Sequence, residues 1–258
     1  SHVNPAPGPM RPVRRTRFYF FAAPLISALL VLPAAGQEAP PPAKQWKDTA
    51  ELSYVQTSGN SKTSSLSGKN LFSYDWERAA LEVAAGGLNS RDGRITTAEQ
   101  YNASEKVSLK LAGRNYALQK TVWDRNTFAG IRSRFDYSVG LGRSLLDRPA
   151  DRLRFEAGGG YVFEDRLNSR NKSFGSYRAY LKYRRTLSPT ASASQELEYL
   201  GDMSDPSGYR TNTETSIVTS ISTHFSLKAS YVWHYVNSPV EGFKKADTIT
   251  SMAVVVNY

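Results

Sequence analysis

The chain has 258 residues, no cysteine, a mean hydropathy of −0.47 and a formal charge of +10. That length fits one large β domain or two small domains, and the lack of cysteine excludes a disulfide scaffold and a Cys-ligated zinc site. Apolar residues make up 40% of the chain, a low share, yet 15 Tyr, 11 Phe and 4 Trp are present. No stretch of the body approaches the roughly 18 uninterrupted apolar residues of a membrane helix. A helical membrane protein is therefore excluded, and a β-barrel, whose strands are only half apolar, is not.

Residues 1–36 read as an N-terminal extension and a secretory signal. Met10 precedes Arg11, Arg14, Arg15 and Arg17, then the apolar stretch Phe18–Leu32, then Pro33-Ala34-Ala35-Gly36 with small residues at a cleavage site. This order of basic, apolar and small residues is that of an export signal. A single membrane anchor is the rival, and Pro24, Pro33 and the short apolar core argue against it. Cleavage near Gly36 removes four Arg and no acid, and leaves 29 bases against 23 acids, a net of +6. For an exported chain, so small an excess does not point to nucleic acid. Residues 37–45, with Pro40, Pro41 and Pro42, read as an extended linker.

From Trp46 onward the pattern has period two. Along 225–235 one face carries Phe225, Leu227, Ala229, Tyr231, Trp233 and Tyr235, the other Ser226, Lys228, Ser230 and His234. Such alternation marks a strand with one apolar and one polar face. Twelve such segments lie between turn signals, at about 47–57, 62–74, 78–90, 97–111, 115–124, 127–144, 151–165, 173–186, 191–200, 209–221, 224–236 and 246–258. The connections after the second, fourth and tenth are tight (75–77, 112–114, 222–223), and those after the sixth and eighth carry Pro149 and Pro189. Those after the third, seventh, ninth and eleventh are expected to be longer and polar. An even strand number with short turns on one side and longer loops on the other is the plan of bacterial outer-membrane barrels.

A secreted sandwich or lipocalin-like barrel also alternates, but its apolar face would be rich in Leu, Ile and Val. Here that face is rich in aromatics near strand ends: Tyr54, Trp123, Phe163, Tyr199 and Trp233 toward the loops, Phe72, Tyr74, Tyr116, Phe225 and Tyr258 toward the turns. Two aromatic girdles suit the headgroup interfaces of a bilayer, and the polar face carries too many charges for a protein core. The predicted fold is all-β: a transmembrane antiparallel up-and-down β-barrel of about twelve strands over 46–258. The ending Val254-Val-Val256-Asn-Tyr258 resembles the signal that outer-membrane barrels present to their insertion machinery.

The body also resembles a known family, the salt-induced outer-membrane proteins grouped as domain of unknown function 481. The resemblance rests on Thr57-Ser-Gly-Asn-Ser61, Asn102 and Glu105, Tyr137-Ser-Val-Gly-Leu-Gly142 and Leu153-Arg-Phe-Glu-Ala-Gly-Gly-Gly-Tyr161. It covers about 46–258 and implies an outer-membrane location in a Gram-negative bacterium and a link to salt or osmotic stress. It supplies no catalytic residue.

Strand parity places Arg132, Arg134, Arg152, Arg154, Arg178, Lys182 and Arg184 on a basic inner wall, relieved by Asp136 and Glu156. The same parity puts Glu196, Glu198 and Glu214 on an acidic inner wall. Facing walls of opposite sign would set a transverse field that orders water and selects ions. The alternative is that these charges pair and plug the lumen. Glycines 158–160 mark a bulge, a thin wall or a narrowing. Glu105 and Lys120 break the lipid-facing parity, either as a pair at the lipid face or through a bulge that turns one inward.

Catalysis is not expected. A hydrolase needs His beside Ser with an orienting partner, and the only histidines are His2, His224 and His234. No metal-spaced cluster or cofactor motif appears, so no metal or cofactor is expected. The expected function is a narrow passive channel for small solutes with a mild anion preference. A closed structural or partner-docking barrel and, further off, a lipid-modifying enzyme remain alternatives. Outer-membrane lipid and the insertion machinery are the expected partners, with a monomer as the expected state.

Overall fold

A computed structural model describes residues 45–60, 62–92 and 95–258; the expected signal segment 1–36 and most of the linker lie outside the described residues. Twelve strands follow in order: β1 (Trp46–Ser58), β2 (Thr63–Asp75), β3 (Ala79–Asp92), β4 (Ile95–Lys110), β5 (Asn115–Asn126), β6 (Ile131–Asp147), β7 (Asp151–Arg166), β8 (Lys172–Thr186), β9 (Ala191–Asp202), β10 (Tyr209–Ser220), β11 (Phe225–Val236) and β12 (Ala246–Asn257). Each pairs antiparallel with its neighbour in sequence, and β1 pairs with β12 from Thr49↔Asn257 to Ser58↔Thr248, which closes an up-and-down barrel. The backbone of the wall is thus paired strand to strand around the whole circle, apart from local register shifts, as a bilayer demands.

Most boundaries fall within one or two residues of the sequence expectation, and the sixth strand and the third connection depart further. The sixth strand starts at Ile131, because Asn126 caps a single 3-10 turn (Thr127–Ala129) and Gly130 follows at φ 78°. The third connection is short, because β3 and β4 pair as far as Asp92↔Ile95 through a register shift between Ser90 and Arg91. The strands are steeply tilted. Partners followed from Trp46 at the turn end run through Tyr74, Leu81, Val107, Gln119, Val139, Gly159, Tyr177 and Gly201 to Tyr209 at the loop end. Such stagger is the shear that closes a twisted sheet.

The barrel is apolar outside and polar inside. Leu52, Leu66, Leu141, Ile217 and Met252 face outward and are exposed, Met252 at 70%. Glu156, at 1% exposure, Asp136, Glu164, Arg178 and Ser176 are among the buried residues. Aromatic rings ring the loop end of the outer wall: Tyr177, Tyr199, Tyr209, Tyr235 and Trp233 run in series across β8–β11 with centroids 5.3–6.1 Å apart. Phe225 and Tyr258 stand exposed at the turn end, where Tyr74 meets Trp76 at 4.5 Å.

Strand β5 departs from the predicted parity. Tyr116, Leu118, Lys120 and Asp124 point into the lumen: Tyr116 reaches Glu156, Lys120 reaches Glu198, Asp124 pairs with Arg134, and Leu118 is buried. Tyr116 is therefore not part of a girdle, and Lys120 is not at the lipid face. Lumen-filling apolar residues had given the strand the look of its opposite face.

Glycines 158 and 160 form no bulge, since β6 and β7 keep register from Arg134↔Glu164 to Ser144↔Arg154. They face inward where the two strands coil tightly; a Cβ on Gly160 would lie 1.9 Å from the Tyr137 carbonyl oxygen. Gly142 serves a different need, since a Cβ there would lie 2.2 Å from the ring of Tyr116, which lies over it. Gly160→Val is expected to destabilise the barrel by about 1–3 kcal/mol through overpacking. Gly68→Val, in open space on the outer wall, is expected to cost markedly less. Urea unfolding from lipid vesicles measures both.

Candidate functional site: the charged lumen

The inward positions of β4–β11 assemble a connected set of charges. Lys106 of β4 pairs with Glu156 of β7, which also accepts from Tyr116 Oη (2.9 Å) and Arg178 Nη1 (2.9 Å). Arg178 Nε donates to Glu198 Oε1 at 2.7 Å, and Lys120 of β5 donates to the same oxygen at 2.8 Å. Asn212 Nδ2 reaches Glu198 Oε2 at 3.4 Å, and Asn212 Oδ1 lies 2.8 Å from His234 Nδ1. One hydrogen-bonded chain thus crosses the lumen from β4 to β11. Arg178 also lies over the Tyr180 ring at 4.9 Å, and Tyr180 Oη donates to Glu196 at 2.7 Å.

Nearer the loops, Glu164 accepts from Arg134 Nε (2.8 Å) and from Arg166 (2.8 Å to Nε), and Arg210 of β10 crosses to Asp136 of β6 at 2.6 Å. Lys228 sits between Glu51 (3.4 Å) and Glu214 (3.0 Å), joining β1, β10 and β11. On the outer loop after β9, the Ser207 hydroxyl and backbone N–H both donate to Asp205 and hold its carboxyl below the usual range, with Lys172 at 3.7 Å assisting.

The predicted walls fare unequally. Arg134, Arg178 and Lys182 face the lumen in ion pairs, the last with Glu196 at 2.6 Å. Arg154 faces the lumen at the turn end and makes no ion pair among the described residues. Arg184 donates to Ser192 Oγ at 3.1 Å, and Arg152 is exposed with Asp147 at 3.9 Å. Arg132 is a correction: the register slip between Ile131 and Ser133 places it on the outer rim, 53% exposed beside Asp165 at 3.3 Å. The transverse arrangement is a second correction. Strands β8 and β9 are neighbours, so Lys182 and Glu196 meet as direct register partners instead of facing across open space. Sequence reasoning missed Lys106, Glu164, Arg210, Lys228 and Glu51; inward parity was the available signal for each.

Among the described residues, cavities lie beside this bridge. One of about 260 Å³ is lined by Glu82, Lys106, Lys120, Tyr180, Glu214 and Val232, among others, and the smaller, about 40 Å³, lies toward the loops with Asn60, Glu99, Asn126 and Asp247 on its walls. His234 lines both. His224 lies at the β10–β11 turn with Nδ1 3.0 Å from Thr223 Oγ1, while Ser230 and Ser251 bond to each other at 2.6 Å. On β12 Val254, and just past it Tyr258, are exposed on the outer side, with the Tyr258 N–H bonded to the Asp48 carbonyl at 2.9 Å.

The family model described as "Protein of unknown function, DUF481" matches residues 50–258. The chain belongs to that family. Escherichia coli (strain K12) "Uncharacterized protein YdiY" is 23% identical over 198 residues, 77% of each chain. Among solved structures, a NanC porin superposes with a TM-score of 0.56 at 8% identity, covering 80% of this chain and 98% of that one. The translocator domain of the autotransporter NalP from Neisseria meningitidis gives 0.51 at 12% identity, covering 84% and 89%. These likenesses give the DUF481 barrel the fold of outer-membrane β-barrels.

Arg178→Ala would leave Glu156 and Glu198 short of a buried partner and is expected to cost about 3–5 kcal/mol. Arg132→Ala, on the exposed rim, is expected to cost at most about 1 kcal/mol. Shifts of the urea midpoint at unchanged slope read both.

Proposed function

We propose that this protein sits in the outer membrane of a Gram-negative bacterium as a narrow passive route for small polar solutes, with a mild preference for anions. The observation that carries this reading is the pair of cavities that share His234 in their walls, one toward the loops and one in mid-lumen. The charges of β6–β8 are largely paired, with one another and with Lys106, Glu196, Glu198 and Arg210, so the route runs through the space left beside these pairs, along β2–β5 and β8–β11. The anion preference belongs to the turn end, where Lys69, Arg154 and Arg184 have no carboxylate partner among the described residues and the acids beside them, Glu82 and Asp75, are fewer. Fixed charge of one sign at a narrow mouth enriches the counter-ion. No step in this reading is catalytic. Outer-membrane lipid contacts the apolar wall, and the insertion machinery reads the β12 ending at Val254, Val256 and Tyr258. A link to salt or osmotic stress enters only through the family resemblance.

A second reading, a closed structural or partner-docking barrel, draws on the chain of hydrogen bonds from Lys106 to His234 that crosses the lumen. Planar-bilayer recording of the refolded barrel under a salt gradient separates the two. The channel predicts small stepwise conductance with a reversal potential on the anion side, raised in size by His234→Ala and lowered by His234→Trp. Arg154→Ala with Arg184→Ala moves the reversal potential toward cations. Silence from protein shown to be folded establishes the closed barrel.

A further inference from the structure

The outer wall is not uniform. Around β6–β8 and β11–β12 it presents Phe135, Tyr137, Leu141, Phe155, Leu227 and Met252. Across β4 and β5 it presents a polar cluster instead. Glu105 points outward: its register partners are Val83 and Thr121, and its strand neighbours Ser104 and Lys106 face the lumen. It is exposed and makes no hydrogen bond or ion pair among the described residues. Lys120, the base that sequence parity brought toward it, is committed to Glu198 inside. Beside Glu105 on the same face stand Gln119 and Thr121, with Gln119 Nε2 donating to Thr121 Oγ1 at 2.6 Å.

Depth makes this cluster costly. Glu105 lies five residues from the turn end of β4 at Lys110 and ten from its loop end at Ile95. About 9–11 tilted residues cross the hydrocarbon, so Glu105 lies within it, far from either interface. A charge on a barrel's lipid face costs free energy that grows toward the midplane, and a carboxylate needs donors to remain there.

We propose that this face of β4 and β5 is covered by a second copy of the chain across a two-fold axis, with Glu105 of each copy accepting from the Gln119 amide or Thr121 hydroxyl of the other. The complementarity is internal to the patch. Glu105 lacks a donor, and one strand away at the same level the Gln119 amide has a second N–H and the Thr121 hydroxyl a free hydrogen. Val107, the register partner of Gln119, completes the outward patch beside Glu105, and an isologous contact brings it near its own copy. Neutral donors to a carboxylate satisfy it without a buried like-charge clash, because the two Glu105 side chains lie on opposite sides of the axis.

The absence of cysteine from the chain makes the test clean. Val107→Cys and, on the far wall, Ala229→Cys are each reconstituted at high lipid-to-protein ratio and treated with a short bismaleimide. The expected result is a cross-linked band of twice the chain mass for Val107→Cys and none for Ala229→Cys. Added to Val107→Cys, Glu105→Leu is expected to weaken dimerisation about tenfold, two membrane hydrogen bonds being lost, while Glu105→Gln largely keeps it. Heat-modifiable migration confirms folding of every variant. No cross-link from folded Val107→Cys overturns the proposal, as does equal cross-linking at both walls or indifference to Glu105→Leu. Cross-linking that appears only when Val107→Cys is combined with Thr213→Cys on β10 also overturns it, in favour of a head-to-tail ring.

Discussion

Arg178 is the group on which the interior depends. Its guanidinium holds two carboxylates from different strands, Glu156 of β7 and Glu198 of β9, and through them lysines from β4 and β5. A planar fork that stays charged in any environment suits this role better than an ammonium. The lumen of a barrel this size is too narrow to solvate every charge freely and too polar to pack as oil. Pairing across the space is the arrangement that leaves few charges unsatisfied, and it holds opposite walls at fixed separation.

The same requirement explains the neighbouring geometry. Glycine at 142 lets Tyr116 lie over β6 and reach Glu156, and inward glycines at 158 and 160 let β6 and β7 coil closely. The ion pairs therefore span the lumen, and the free volume lies between and beside them. The passive route proposed above is the space that remains after electrostatics has been served.

The architecture was legible because alternation is enforced by two solvents of opposite kind. Strand after strand reports lipid on one face and a polar lumen on the other, so the strand number and closure follow from the pattern. The interior was legible only in part. Lys106, Lys120 and Arg210 meet partners 50, 78 and 74 residues away in sequence, and which inward groups meet depends on shear and side-chain reach, neither written in local periodicity. On β5 the rule itself misled, because Tyr116 and Leu118 are apolar lumen filling while Gln119 and Thr121 face outward. At Arg132 one extra residue in the register was enough to move a base from the inside to the rim.

The series of rings from Tyr177 to Trp233 spans β8–β11 only. Interfacial rings fix the depth of the wall that carries them, whereas the sector around β3–β5 has fewer such anchors. In a bilayer thinner or thicker than the barrel's apolar band, the anchored side keeps its level and the other side takes up the difference. The barrel axis then leans about the aromatic sector as a hinge, so membrane thickness is converted into the angle at which the mouth meets the cell surface.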